Sequence, residues 1–245
     1  MFAAPCQPNT EQHRVKVPLS SWNLPAAVAR PVGKKEIADH PDAQEAQRKE
    51  WDRLWEKFVW EWVGNLDDLV CEWNDVANQA KAKQQEVHMG MLFGIMVEKG
   101  SELQKGDSRR KYKYRVVFQG NRVVNQNWEA ALFQDMGSSP ATMEASKIAD
   151  LWSCMEGHSM QQADVVQAYI QAELKGTPTW VSLPPEAWLH APKQVKEWYD
   201  KNKGKYTRPV LRLKKALYGH PDSGTFWERH CDASLQSVGF EPIVN

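Results

Sequence analysis

Long apolar runs, cysteine motifs and a charge bias are all missing from this sequence. No stretch approaches the roughly 20 apolar residues that a bilayer-crossing helix needs, so no membrane association is expected. The opening residues, MFAAPCQPNT, hold neither a basic region nor an apolar core, and secretion is not expected either. Cys6, Cys71, Cys154 and Cys231 stand far apart with no CxxC pair, and His230 beside Cys231 has no partners at zinc spacing. That argues against a disulfide framework and for a reducing, intracellular setting. Lys plus Arg and Asp plus Glu number 31 each, which excludes a globally basic nucleic-acid coat and leaves only local basic tracks open. There is no Walker loop, GxGxxG, HExxH or GxSxG. The seven histidines are scattered, and a lone histidine is more often structural than catalytic.

What is present is an ordinary globular composition, 42% hydrophobic and 25% charged over 245 residues, enough for a sizeable core. Residues 1–40 are proline-rich without a clear period and read as an extended leader or linker. Pro41 opens a helical pattern in which Ala46, Trp51, Leu54, Trp55, Phe58 and Trp62 recur at three- and four-residue steps. Gly64-Asn65 interrupts it, and Leu66, Leu69, Val70 and Trp73 continue a second helix to about Gln85. Residues 36–75 hold twelve acids against four bases, so segment 41–86 should not bind nucleic acid by charge; its tryptophan stripe reads as core or partner-docking surface.

From about Val87 to the end, strand and helix patterns alternate without a repeat, giving an α+β or α/β domain over 87–245. MGMLFGIMVEKG, closed by Gly100, and Lys111–Gln119 read as strands. Ser159–Val165 reads as a buried strand, and Thr179–Leu183 and Val210–Leu213 as further strands. Ala141–Glu156, Pro192–Asn202 and Pro221–Val238 read as helices, the last stopped by Gly239.

Three segments could carry chemistry. On the strand Lys111–Gly120, alternation sets Lys111, Lys113 and Arg115 on one face and Tyr112, Tyr114, Val116 and Phe118 on the other. Three cations on a rigid strand suit a polyphosphate, although a charged edge strand shows the same pattern. In QQADVVQAYI, Asp164 stands at the end of an apolar strand, where a carboxylate could reach Mg²⁺; alternatively it caps a helix over Val165–Leu174. Residues 201–215 hold seven bases and no acid, a track suited to a phosphate backbone, followed by a turn at Tyr218-Gly219. Taken singly, each segment has a plainer structural explanation.

In this order the three segments resemble the reverse transcriptase of copia-type retrotransposons. Lys113-Tyr-Arg115-Val-Val-Phe-Gln-Gly120 is similar to the family's "KARLVxxG", and Ala163-Asp164-Val165-Val-Gln-Ala168-Tyr169 to its "xxDVxxAF". Leu211 to Gly219, ending near Trp227, is similar to "cRLkkSLYGlkQaPrxW", the most specific of the three, and Leu235 to Phe240 to a terminal "L…GF". Glu45 to Leu54 resembles the helix that begins the domain, so the likeness spans roughly 40–245.

The resemblance implies the fingers and first part of the palm of a right-hand polymerase, preceded by the Trp-rich helical segment. It implies RNA-directed DNA polymerase activity, two-metal nucleotidyl transfer with Mg²⁺ or Mn²⁺, and as partners a template–primer, a deoxynucleoside triphosphate and the remaining Pol segments, in a cytoplasmic particle or the nucleus. Asp164 is then the first catalytic carboxylate and a metal ligand, assisted by the Val165 carbonyl. Lys113 and Arg115 hold the triphosphate, and Tyr169 stacks under the sugar and excludes a 2′-hydroxyl. Arg212, Lys214, Lys215, Tyr218 and Gly219 contact nucleic acid. His220-Pro-Asp-Ser-Gly224 stands where the family has its glutamine-bearing turn, and no "YVDD" pair occurs before Asn245. The resemblance thus implies a truncated or decayed fragment, inactive alone. The alternative is a non-catalytic nucleic-acid-binding or protein-docking remnant. The polymerase reading requires a strand-end carboxylate at Asp164, the cationic strand of Lys113 and Arg115, and the lysine-laden turn after Leu213 to converge around a single cleft.

Overall fold

A computed structural model describes residues 28–133 and 141–241. Most of the proline-rich leader and Pro140 lie outside the described residues. The described part is a mixed α/β structure, a seven-stranded mixed sheet with nine helices among the described residues. In place of a plain linker, Ala29–Pro31 forms strand β1 and Lys34–Asp39 helix α1. Helix α2, Pro41–Glu56, starts with proline at a position where no backbone N–H is needed, and it buries Ala43, Trp51, Leu54 and Trp55.

The expected second helix over 66–85 is broken into α3 (Leu66–Leu69), β2 (Cys71–Glu72) and α4 (Trp73–Ala82). The break has a long-range cause. Cys71 and Glu72 pair with Val210 and Pro209, and the Glu72 carboxylate accepts from the backbone N–H groups of Thr207 and Arg208 at 2.8 and 2.9 Å.

The organising strand is β3, His88–Lys99. Its second half forms an antiparallel hairpin with β4, Lys111–Phe118, in continuous register from Leu92↔Phe118 to Lys99↔Lys111. Its first half pairs with the short β5, Val124–Asn125, and, in parallel, with β6, Thr179–Ser182; β6 pairs in turn with β7, Pro209–Arg212. Side-chain alternation splits the core into two clusters. Leu92, Met96, Val181 and Leu211 join Trp51, Leu54, Trp55 and Trp60 in one, and Met89 and Val210 join Trp73, Val76 and Ala80 in the other. The Trp-rich helices and the strands of 87–245 thus share their hydrophobic clusters. The remaining helices are α5 (Met143–Ser153), α6 (Ala168–Gln171), α7 (Pro185–Leu189), α8 (Lys193–Asn202) and α9 (Ser223–Ser237). Helix α7 was not foreseen. No described helix is long and apolar enough to cross a membrane.

The strand expected at Ser159–Val165 does not form. Residues 159–165 have no regular structure and are exposed. Both edges of β3 are already taken, by β4 and β1 in one half and by β5 and β6 in the other, and the segment pairs with no other described strand either.

Trp55 is fully buried and its indole N–H donates to the Ala187 carbonyl at 3.1 Å, tying α2 to α7. Trp55→Ala is expected to cost about 3–5 kcal/mol through the cavity it leaves. Trp152→Ala, at a site 58% exposed, should stay within about 0.5 kcal/mol of the parent. Urea denaturation of the two variants checks the contrast.

Candidate functional site

Strand β4 and helix α2 both line an open cavity of about 620 Å³, within the usual range for small-molecule sites. Four parts of the chain line it. Strand β4 contributes Lys113 and Arg115, α2 contributes Lys49, Glu50 and Arg53, segment 164–170 contributes Asp164 and Tyr169, and the turn after β7 contributes Leu217 and Tyr218. Lys113, Arg115, Asp164, Tyr169 and Tyr218 therefore line one cavity, with Val165, but the lysines of the turn, Lys214 and Lys215, do not reach it. Lys111 opens instead onto a neighbouring cavity of about 790 Å³. That cavity is charge-balanced by the Arg30–Glu98 and Arg110–Glu98 ion pairs.

Backbone geometry fixes the Tyr218 turn against β4. The Phe118 N–H donates to the Tyr218 carbonyl at 2.8 Å, and Gly219 adopts a φ of +91° directly over the Phe118 carbonyl. Tyr218 thereby lies beside Tyr169, ring centroids 6.0 Å apart and tilted by 56°. The two phenols line the same cavity as the cations of β4.

Like charges crowd the cavity. The Lys113 ammonium is held below its ordinary pKa by burial first, then by Arg115, Lys99 and Arg53, while Asp164 pulls the other way. An anion placed there would relieve the repulsion, so the site is built to favour negative charge.

Asp164 occupies neither position expected of it. It is exposed in an irregular segment rather than at a strand end, and it caps no helix: the N-cap of α6 is Gln167, in the left-handed conformation at φ 58°. Arg212, Lys214 and Lys215 do not line the cavity. Arg212 is exposed on β7 opposite Trp180, and the N–H groups of Lys214 and Lys215 both donate to the Val59 carbonyl. Gly219 shapes the turn but does not itself line the cavity.

The divalent ions implied by the resemblance fit poorly here. Asp164 and Glu50 are the carboxylates in the cavity lining, and Glu50 is engaged by Arg53. Among the described residues no three Asp, Glu, His or Cys side chains gather as a metal-binding group. A pair of hard cations needs more oxygen ligands than that.

Sequence reasoning missed Lys49, Glu50 and Arg53. The signal was there in the helical spacing of Ala46, Lys49, Glu50, Arg53 and Leu54, one stripe of α2 beside its buried tryptophans. Reading the segment by its net acidity concealed two cations on the face that matters.

Set against known proteins, the chain matches no family model, no curated protein sequence and no solved structure.

Proposed function

We propose that the chain forms the fingers and the first part of the palm of a copia-type RNA-directed DNA polymerase. In this reading it holds the triphosphate of an incoming deoxynucleotide in the cavity and does not polymerise by itself. One observation carries the reading: residues from three separate motifs, Lys113 and Arg115, Asp164 and Tyr169, and Tyr218, line the same cavity. Lys113 and Arg115 neutralise the phosphates, arginine offering two parallel N–H donors to one phosphate. Tyr169 supports the sugar, with Tyr218 at its side. Asp164 is the first of the acids that two-metal chemistry requires, with the Val165 carbonyl next to it. This chain supplies too few carboxylates to complete a Mg²⁺ or Mn²⁺ pair, so the remaining ligands fall to other Pol segments. Template–primer phosphates run along the exposed cations Arg212 and Lys214, outside the cavity.

The poor donor set favours a second reading, a nucleic-acid-binding remnant without chemistry. Calorimetric titration with dTTP separates the two. The polymerase reading expects saturable binding that falls at least about tenfold in a Lys113→Gln/Arg115→Gln variant, since two charge-assisted contacts are lost. It also expects no primer extension with Mg²⁺ or Mn²⁺. Robust extension would overturn the claim of inactivity, and dTTP binding indifferent to the double substitution would overturn the site.

A further inference from the structure

We propose that Arg53 is a third phosphate-binding cation of the cavity, and that Glu50, by competing for it, sets how tightly and how selectively a polyphosphate binds. The proposal rests on the triphosphate reading above and adds to it a residue pair from the Trp-rich helix.

Arg53 stands in the last turn of α2 and lines the cavity together with Lys113 and Arg115. Its immediate sequence neighbours Trp51, Leu54 and Trp55 are buried, so the helix that carries it is anchored in the core. A side chain projecting from such a helix needs little ordering to meet a ligand.

The hydrogen-bonding of Arg53 is half spent. Its Nη2 contacts the Glu50 carboxylate, while its Nε is screened from solvent and has no acceptor. An arginine grips phosphate or carboxylate best through two parallel N–H groups. Glu50, three residues earlier on the same helix, satisfies one end and leaves a shielded donor unused. A buried donor without an acceptor is unfavourable, and a phosphate supplies the missing acceptor once the guanidinium turns from Glu50 into the cavity.

Charge completes the argument. Lys49, Arg53, Lys113 and Arg115 line the cavity against Glu50 and Asp164. The excess of cations suits a ligand with several negative charges, and Arg53 is one of the like charges that burden Lys113. A triphosphate offers more phosphoryl groups to the cations of β4 and α2 together than orthophosphate does. The Glu50–Arg53 pair therefore favours long polyphosphates: a ligand must bring enough charge to displace Glu50 before it gains the third cation.

The test is calorimetric titration of the full chain with inorganic tripolyphosphate and, separately, with orthophosphate. Arg53→Gln is expected to weaken tripolyphosphate binding about tenfold, the scale of one charge-assisted contact, and to leave orthophosphate within about twofold. Glu50→Gln is expected to tighten tripolyphosphate several-fold, a gain that misfolding cannot mimic. If Lys113→Gln weakens tripolyphosphate while Arg53→Gln and Glu50→Gln both leave it unchanged, the phosphate site stands and the role of Arg53 is overturned. If the parent chain binds no tripolyphosphate at all, the phosphate site itself falls, and this inference with it.

Discussion

Replacing Gly219 by alanine is expected to destabilise the chain by about 2–4 kcal/mol, through left-handed backbone strain added to a backbone clash. Gly219 has a φ of +91°, and a Cβ built there lies 2.2 Å from the Phe118 carbonyl oxygen and 2.8 Å from Val117 Cγ1. The nearer atom belongs to the backbone of β4, so no rotamer change relieves the contact. Gly120 closes the same junction from the other side, its added Cβ falling 2.3 Å from the Gly219 carbonyl oxygen. Gly204 is the matched control, since it has a φ of +89° and nothing within 4 Å of an added Cβ. Gly204→Ala pays only the conformational cost, about 1 kcal/mol. Chemical denaturation of both variants isolates the close approach as their difference. Because Tyr218 reaches the cavity from this turn, Gly219→Ala should also weaken dTTP binding in whatever fraction remains folded. If the two variants prove equally stable, the turn is not held against β4 as described.

The elements legible in the sequence are those whose pattern is local. The alternation over Lys111–Phe118 is found in part: Tyr114, Val116 and Phe118 are buried and Lys111 and Arg115 exposed, but Tyr112 and Lys113 are both half-buried. The hairpin with β3 is formed by neighbouring segments. The tryptophan periodicity, also local, located α2 and its buried Trp51, Leu54 and Trp55, but the helix ends at Glu56, leaving Phe58 and Trp62 beyond it and Phe58 exposed. What was not legible depended on distant partners. Cys71–Glu72 leaves the helical path to pair with Pro209–Val210, and nothing within residues 66–85 announces it. Residues 159–165 looked like a strand, yet they pair with no strand of the sheet, a long-range outcome that the segment itself does not announce. The cavity shows the same division. Lys113, Arg115, Asp164, Tyr169 and Tyr218 belong to recognisable motifs, while Arg53 enters only because α2 packs along the edge of β4.

The second large effect is expected from acid. His220 is 5% exposed, packed between Phe118 and Phe133 at ring-centroid distances of 4.8 and 5.5 Å. Its Nδ1 accepts from the Asp222 N–H at 3.2 Å, which places the proton of the neutral ring on Nε2, facing the Thr179 hydroxyl at 3.5 Å. Burial first, and then nearby His88, push its pKa down from 6.5 to about 4. A histidine depressed in this way leaves the fold undisturbed at neutral pH, where both folded and unfolded chains carry it uncharged. As pH falls below 6.5 the unfolded chain takes up a proton that the folded chain refuses, and stability drops until the folded form also charges near pH 4. At 1.36 kcal/mol per pKa unit the full loss is about 3 kcal/mol, most of it reached by pH 4.5.

The carboxylates act lower on the scale. Glu45, bonded to Arg48, and Asp107, bonded to Arg109, are both held at about 2, so their contributions are lost as pH falls from the ordinary carboxylate values of 4.5 and 3.8 towards 2. The interval from pH 6.5 to 4.5 therefore reports the buried His220 foremost and then the half-buried His190, whose pKa burial also lowers. Urea denaturation at pH 7 and pH 4.5 should show the parent losing about 2–3 kcal/mol. A His220→Gln variant, weaker at pH 7 through imperfect packing, should lose correspondingly less across the same interval. Equal losses in parent and variant would assign the acid sensitivity elsewhere, and the packing of His220 between the two phenylalanines would then have no part in it.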